Sequence, residues 1–246
     1  KALRAKKHVL IEKPMAIKTR EVEELIKEAS KNNIKIMEGF MYAFHPQFDR
    51  IINTIKSNIL GDINYAHSMF SFPIQPARFY RINRSIENGG GALWDIGPYA
   101  IHTIRQCFTE NPSRVKAIAK LNDHGADIST SGLIEFGEHK RATFDISFEC
   151  TRRSEFEAFG LLGRVKCPVV WQPEDKQAKI IINTESSGLT EEVVPAANHF
   201  ILEINHFNKA ISSDIPLRLT TEDALWNVRT LESIQQSIQQ DSWVNL

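Results

Sequence analysis

The sequence predicts an α/β unit followed by an α+β domain with a broad, largely antiparallel sheet packed on helices. Three observations carry this. Near the start, a strand, a helix and a second strand follow one another with short connections, which implies parallel pairing and a right-handed crossover. After Pro112 the apolar period drops from helical towards two, and no helical pattern intervenes until His199. The chain then closes with two helical patterns, His199–Ser212 and Glu222–Gln239.

The elements follow in order. Lys1–Lys7 has neither an initiator Met nor an apolar signal region and reads as the tail of a helix, so the chain is expected to begin inside an α/β unit, as a fragment. His8–Ile11 is a short buried-strand pattern. It leads through Glu12-Lys13-Pro14 to a helix with Thr19 as N-cap and Val22, Leu25, Ile26 and Ala29 on its apolar face. Asn32-Asn33 is suited to the left-handed turn that ends it, before the strand Ile34–Met37. Pro46 opens a second helix, with Phe48, Ile51, Ile52 and Ile55 at helical spacing. Gly61-Asp62 turns into the strand Ile63–Phe72. A loop rich in Pro and Arg follows, then Gly89-Gly90-Gly91 and a helix traced by Leu93, Ile96, Gly97, Ala100, Ile101 and Ile104. The predicted sheet strands are Val115–Leu121, Ser131–Phe136, Ala142–Phe148, Glu155–Phe159, Val165–Val170, Lys179–Ile182 and Glu191–Val194. Its helices cover one face, and the other is expected to meet a second subunit in a homodimer or homotetramer.

Composition narrows the function classes. Among 246 residues, thirty Lys+Arg balance thirty Asp+Glu, so no global field attracts nucleic acid or an anionic membrane. No apolar run approaches the ~18 residues of a membrane span. Cys107, Cys150 and Cys167 are odd in number and lack metal-type spacing, which predicts buried thiols in a reducing cytoplasm. The histidines show no HExxH or comparable spacing, so no metal site is expected. No serine sits in a G-x-S-x-G elbow.

Three constellations could carry chemistry. Glu12-Lys13-Pro14 follows a parallel strand, where ligands of open α/β sheets bind, and the proline restricts where Lys13 points. A partly desolvated lysine there would have a lowered pKa and could relay a proton. On spacing alone, a solvent-facing lysine before a turn is the commoner outcome. Asp95, Tyr99 and His102 fall at i, i+4 and i+7, so carboxylate, phenol and imidazole share one helix face. The alternative is a polar face that simply meets water. Between Gln75 and Arg84, the residues Arg78, Phe79, Tyr80, Arg81 and Arg84 could clamp a phosphate or polyol, or be scattered surface cations. Phe40, Met41, Tyr42 and Phe44 read as core.

Together these segments strongly resemble the Gfo/Idh/MocA oxidoreductase family. Lys7–Pro14 is similar to its KHVxxEKP strand and turn, Phe40–Gln47 to its MYRFHPQ stretch, and Gly89–Tyr99 to its GGGxLxDxGxY/H motif. The resemblance runs nearly end to end. It implies that residues 1–43 are the C-terminal part of a dinucleotide-binding Rossmann domain and residues 44–246 a substrate-binding and oligomerisation domain. It further implies hydride transfer between NAD or NADP and a carbinol carbon of a sugar, polyol or diol. Lys13 matches the lysine that meets nicotinamide ribose and substrate hydroxyl, with Glu12, Pro14 and Arg81 on the cofactor side. Asp95 matches the aspartate of the glycine motif, and Tyr99 a position held by His or Tyr. His102 has no counterpart, so its candidacy as a catalytic residue rests on helix geometry. Ala43 stands where Arg is common, and no G-x-G-x-x-G/A occurs. The isolated chain is therefore expected to bind NAD(P) poorly and to be inactive. The alternative function is a non-catalytic oligomerisation or binding module of the same fold.

Overall fold

The structure, a computed structural model, describes residues 1–173 and 177–246. Strand β1 (Val9–Glu12), helix α1 (Thr19–Lys31) and strand β2 (Ile36–Gly39) form the expected unit. The two strands pair in parallel from Val9↔Ile36 to Glu12↔Gly39. Lys18, not Thr19, is the N-cap residue of α1. The Thr19 hydroxyl instead donates to Glu232 Oε2 at 2.6 Å, so a tertiary acceptor takes the group that local propensity assigns to capping. Asn33 adopts the left-handed conformation at φ 54°, ending the helix as expected.

A 3₁₀ turn (Met41–Phe44) leads into α2 (Pro46–Lys56), where His45 Nδ1 accepts the Gln47 N–H at 3.1 Å. Strand β3 (Ile63–Ser71) follows, and the Arg-rich loop contains a 3₁₀ turn over Pro76–Arg81. The single helix expected after the glycines is two: α3 (Ala92–Asp95) and α4 (Gly97–Arg105). Ile96 separates them, and Pro98 in the first turn of α4 supplies no N–H to continue the ladder. Helix α4 has no solvated polar side, since every residue from Gly97 to Arg105 is buried.

The remaining strands are β4 (Pro112–Leu121), β5 (Asp127–Phe136), β6 (Lys140–Ser147), β7 (Arg153–Gly160), β8 (Gly163–Cys167), β9 (Ala178–Thr184), β10 (Gly188–Val194) and β11 (Val244–Asn245). They join β3 in one sheet of order β10-β9-β8-β7-β3-β6-β5-β4-β11. Neighbours are antiparallel except β3 and β6, which pair in parallel from Tyr65↔Arg141 to Ser71↔Ser147. The strand expected to reach Val170 ends at Cys167, and Val169 makes only an isolated bridge with Ser154.

Alternation along the strands sorts the two faces. Ala66, Phe70, Ile134, Phe144 and Phe156 are buried in the main core, whereas Tyr65, His67, Met69, Thr143 and Phe159 are partly exposed. Helices α5 (His199–Ser213) and α6 (Thr221–Gln240) close the chain. Leu231 and Ile234 of α6 enter the sheet core, while its Ala224 and Val228 pack with Leu3, Met15, Val22 and Ile36. One helix thus supplies apolar surface to both cores. Cys107 and Cys167 are buried as expected; Cys150 is exposed, because it lies in the turn after β6.

Candidate active site

Strand β1 ends at Glu12, so its carboxyl end delivers Lys13 to the cleft between the α/β unit and the sheet domain. Opposite, the glycine turn places α3 against β5. Gly91 stands at φ 93°, and a Cβ there would fall 1.8 Å from Asp127 Oδ1. A Cβ on Gly90 would fall 1.9 Å from the Arg84 carbonyl oxygen. Both positions require glycine, one for its left-handed backbone as well as its closeness. Asp127 Oδ2 accepts the Leu93 N–H at 2.8 Å and the Thr130 hydroxyl at 2.7 Å. A buried strand carboxylate thereby caps a helix whose own N-cap residue, Gly91, has no side chain to do so.

This frame brings the candidates together. Lys13 Nζ lies 3.4 Å from Asp95 Oδ1 and donates to the Asp95 carbonyl at 2.5 Å. It also lies 4.9 Å from the centroid of the Tyr99 ring. Arg81 pairs with the same carboxylate oxygen of Asp95, so two cations share one anion. Burial and then the charge of Arg81 lower the Lys13 pKa to about 8, against the opposing pull of Glu12 and Glu38. Burial also raises the Tyr99 phenol above its ordinary range, with Glu12 adding to the effect. Near neutral pH the Tyr99 phenol therefore keeps its proton, while Lys13, at about 8, lies close enough to neutrality to change protonation state.

The cleft has a volume of about 600 Å³. Its wall includes Glu12, Lys13, Arg81, Asp95 and Tyr99, together with Arg78, Tyr80 and Arg84 from the Arg-rich loop. Pro14 and Phe79 do not line it. Met41 and Phe70 form part of its apolar surface, so Met41 serves both core and cleft.

His102 is not brought to the cleft. It is fully buried behind Phe40, whose ring stacks on it at 4.4 Å. Its Nε2 faces Asp223 Oδ2 at 2.8 Å and its Nδ1 meets the Tyr42 hydroxyl at 2.5 Å. Arg105 holds the other oxygen of Asp223 at 2.9 Å. Burial opposes ionisation of Asp223, yet His102 and Arg105 hold its carboxyl far below the usual range. His102 shares the unbroken helix α4 with Tyr99, but that helix is enclosed all round, and the shared spacing carries His102 behind Phe40 rather than to the cleft.

Sequence reasoning missed Glu38, Asp127 and Glu203. Glu38 is buried in β2 and accepts the Met15 N–H at 2.7 Å, fixing the turn after Lys13. Glu203 is 5% exposed and lines the cleft from α5. No apolar period marked it: on α5, Phe200, Ile201 and Ile204 are exposed, while His199, Glu203, Phe207 and Ala210 are buried. Among the described residues, no cluster of His, Cys, Asp or Glu could hold a metal ion. None of the described helices is long and apolar enough to cross a membrane.

A parallel α/β unit thus opens its strand ends onto a cleft walled by a second unit built on a mixed sheet. Residues 1–40 match the oxidoreductase family with NAD-binding Rossmann fold, and residues 48–166 match the GFO/IDH/MocA C-terminal domain. An uncharacterized oxidoreductase of Rhizobium meliloti is 30% identical over 99% of this chain and 74% of its own length. A trans-1,2-dihydrobenzene-1,2-diol dehydrogenase of Xenopus tropicalis is 30% identical over 72% of this chain and 52% of its own length. A solved 3-ketoreductase of Actinomadura kijaniata, in complex with NADP and TDP-benzene, superposes with a TM-score of 0.86 at 26% identity, over 96% of this chain and 72% of that one. The chain belongs to the Gfo/Idh/MocA oxidoreductase family.

Proposed function

We propose that the protein is an NAD- or NADP-dependent dehydrogenase or reductase acting on a carbinol carbon of a sugar, polyol or related diol. The observation that carries this reading is the convergence of Lys13, Asp95 and Tyr99 on one cleft at the end of a parallel strand. The cleft suits a nicotinamide nucleotide. Arg78, Arg81, Arg84 and Lys13 offer cationic donors for phosphate and hydroxyl groups, and Gly39, Gly89 and Gly91 leave its wall without bulk. When bound, the cofactor supplies the hydride acceptor for oxidation or the hydride donor for reduction.

The chain's own residues handle the proton. In oxidation, the carbinol hydrogen leaves as hydride and the hydroxyl proton passes to neutral Lys13; reduction reverses both transfers. With a pKa of about 8, Lys13 exchanges that proton near neutral pH with little free-energy penalty in either direction. Tyr99, held in its protonated form, donates a hydrogen bond to the oxygen that changes between alcohol and carbonyl. Asp95 positions Lys13 and Arg81 rather than accepting the proton, since both cations already share its Oδ1 atom.

Of the relatives named above, one is a trans-1,2-dihydrobenzene-1,2-diol dehydrogenase and one a 3-ketoreductase solved with NADP and TDP-benzene, which supports a substrate that interconverts alcohol and carbonyl. The open sheet face, with Tyr65, His67, Met69 and Phe159, suits contact with a second copy, and the three free cysteines suit a reducing cytoplasm. The test is a dehydrogenase screen of the full-length protein over sugars, inositols and diols with both cofactors, alongside calorimetric titration of NADH and NADPH. Turnover with either cofactor supports the enzyme. Absence of both binding and turnover would leave a non-catalytic module of this fold.

A further inference from the structure

Glu203 is the anomaly of the cleft. It sits on the buried stripe of α5 at 5% exposure, yet its Oε1 atom has no hydrogen-bond partner among the described residues. A buried carboxyl oxygen without a partner costs stability, and native proteins retain such groups chiefly where function uses them. This oxygen is close to the carboxyl end of β2: a Cβ placed on Gly39 would lie 3.9 Å from it. Gly39 and Glu12, the terminal residues of the two parallel strands, line the same cleft as Glu203. Phe200, one turn earlier on α5, adds an aromatic wall that is 53% exposed.

We infer that Glu203 is a ligand-binding residue of the cleft, whose free oxygen accepts a hydrogen bond from a hydroxyl or amide N–H of the bound molecule. The inference rests on the oxidoreductase reading, because both the nicotinamide nucleotide and a polyol carry such donors. A ligand donor satisfies the orphaned oxygen, so the stability lost in the empty fold returns as affinity on binding. Burial, followed by the nearby charge of Glu12, raises the Glu203 pKa to about 7. The carboxyl keeps an acceptor oxygen in either protonation state.

Glu203→Leu and Glu203→Gln in the full-length protein test this. NADPH binding is measured by calorimetry, D-xylose binding in saturating NADPH by the same method, and Tm without ligand. Leucine should weaken one ligand by about tenfold or more, the loss of one good hydrogen bond to a charged group. Glutamine, which keeps a carbonyl acceptor, should lose less. The leucine variant should also gain in Tm, because it removes an unpaired buried polar group. Weakened NADPH places the donor on the cofactor; unchanged NADPH with weakened D-xylose places it on the polyol. If both affinities match those of the parent protein, or if leucine lowers Tm and leaves binding intact, Glu203 is structural and the inference is overturned. A parent protein that binds neither cofactor nor sugar would overturn the oxidoreductase reading and this inference with it.

Discussion

At the scale of single residues, the site turns on an anion shared between two cations. Asp95 accepts from both Lys13 and Arg81, so neither cation is fully neutralised, and Arg81 adds to burial in lowering the Lys13 pKa. Replacing Lys13 by Met should cut kcat by about 10²–10⁴ while circular dichroism and Tm stay near those of the parent. Near-normal turnover would remove Lys13 from the proton path. Replacing Arg81 by Ala removes a cation and leaves Asp95 to Lys13 alone. Both changes favour the ammonium, so the break in the kcat/KM pH profile should move upward from about 8. A break that stays or moves down would assign it to another group. Lys13, Asp95 and Tyr99 stood out at a strand end and a glycine-opened helix, but spacing alone favoured solvent-facing side chains, and the family motifs singled them out. His102 was misplaced, and Glu203 was not found, because whether a helix face meets water depends on elements distant in the chain.

At the scale of elements, the glycine turn and α3 owe their shape to β5. Asp127 satisfies the Leu93 N–H and the Thr130 hydroxyl, and burial raises its pKa to about 6 against those two hydrogen bonds. Asp127→Ala should cost about 1–3 kcal/mol for each buried donor left without an acceptor, read from urea unfolding. Asp127→Asn, which keeps a carbonyl oxygen, should cost less; equal losses would argue that charge rather than acceptance matters. Gly91→Ala should be more damaging than either, since it meets both a left-handed backbone and a 1.8 Å contact with Asp127 Oδ1. The sequence marked the triple glycine as a turn. That its closeness serves a carboxylate two elements away could not be read from spacing, because the partner strand is chosen by the sheet.

At the scale of the whole molecule, helix α6 joins the two cores, and a buried carboxyl sets how stability follows pH. Glu38 has its pKa raised from 4.5 to about 8, mainly by burial, with the Met15 N–H opposing. The folded protein therefore holds a proton that the unfolded chain releases, and stability should fall as pH rises from 4.5 through about 8. Lys13 acts in the opposite sense over a later window, adding stability as pH rises from about 8 to 10.5. Glu38→Gln keeps an acceptor for Met15 and should flatten the first window in a series of Tm measurements against pH. An unchanged slope would place the titration elsewhere. The open sheet face predicts a dimer or tetramer by light scattering, and a monomer would count against that surface as an interface.

Local chemistry alone determined the strand–helix–strand start, the run of strands after Pro112, the two closing helices and the residues that end β1 and open α3. Those features follow from apolar period, turn residues and chain direction, all carried by neighbours in sequence. Tertiary structure decided the parallel pairing of β3 with β6, the burial of His102 and the exposure of the cleft to Glu203. Each depends on which surfaces meet across long separations. The free energy of such contacts comes from excluded water and shared hydrogen bonds, which leave no periodic trace in the chain.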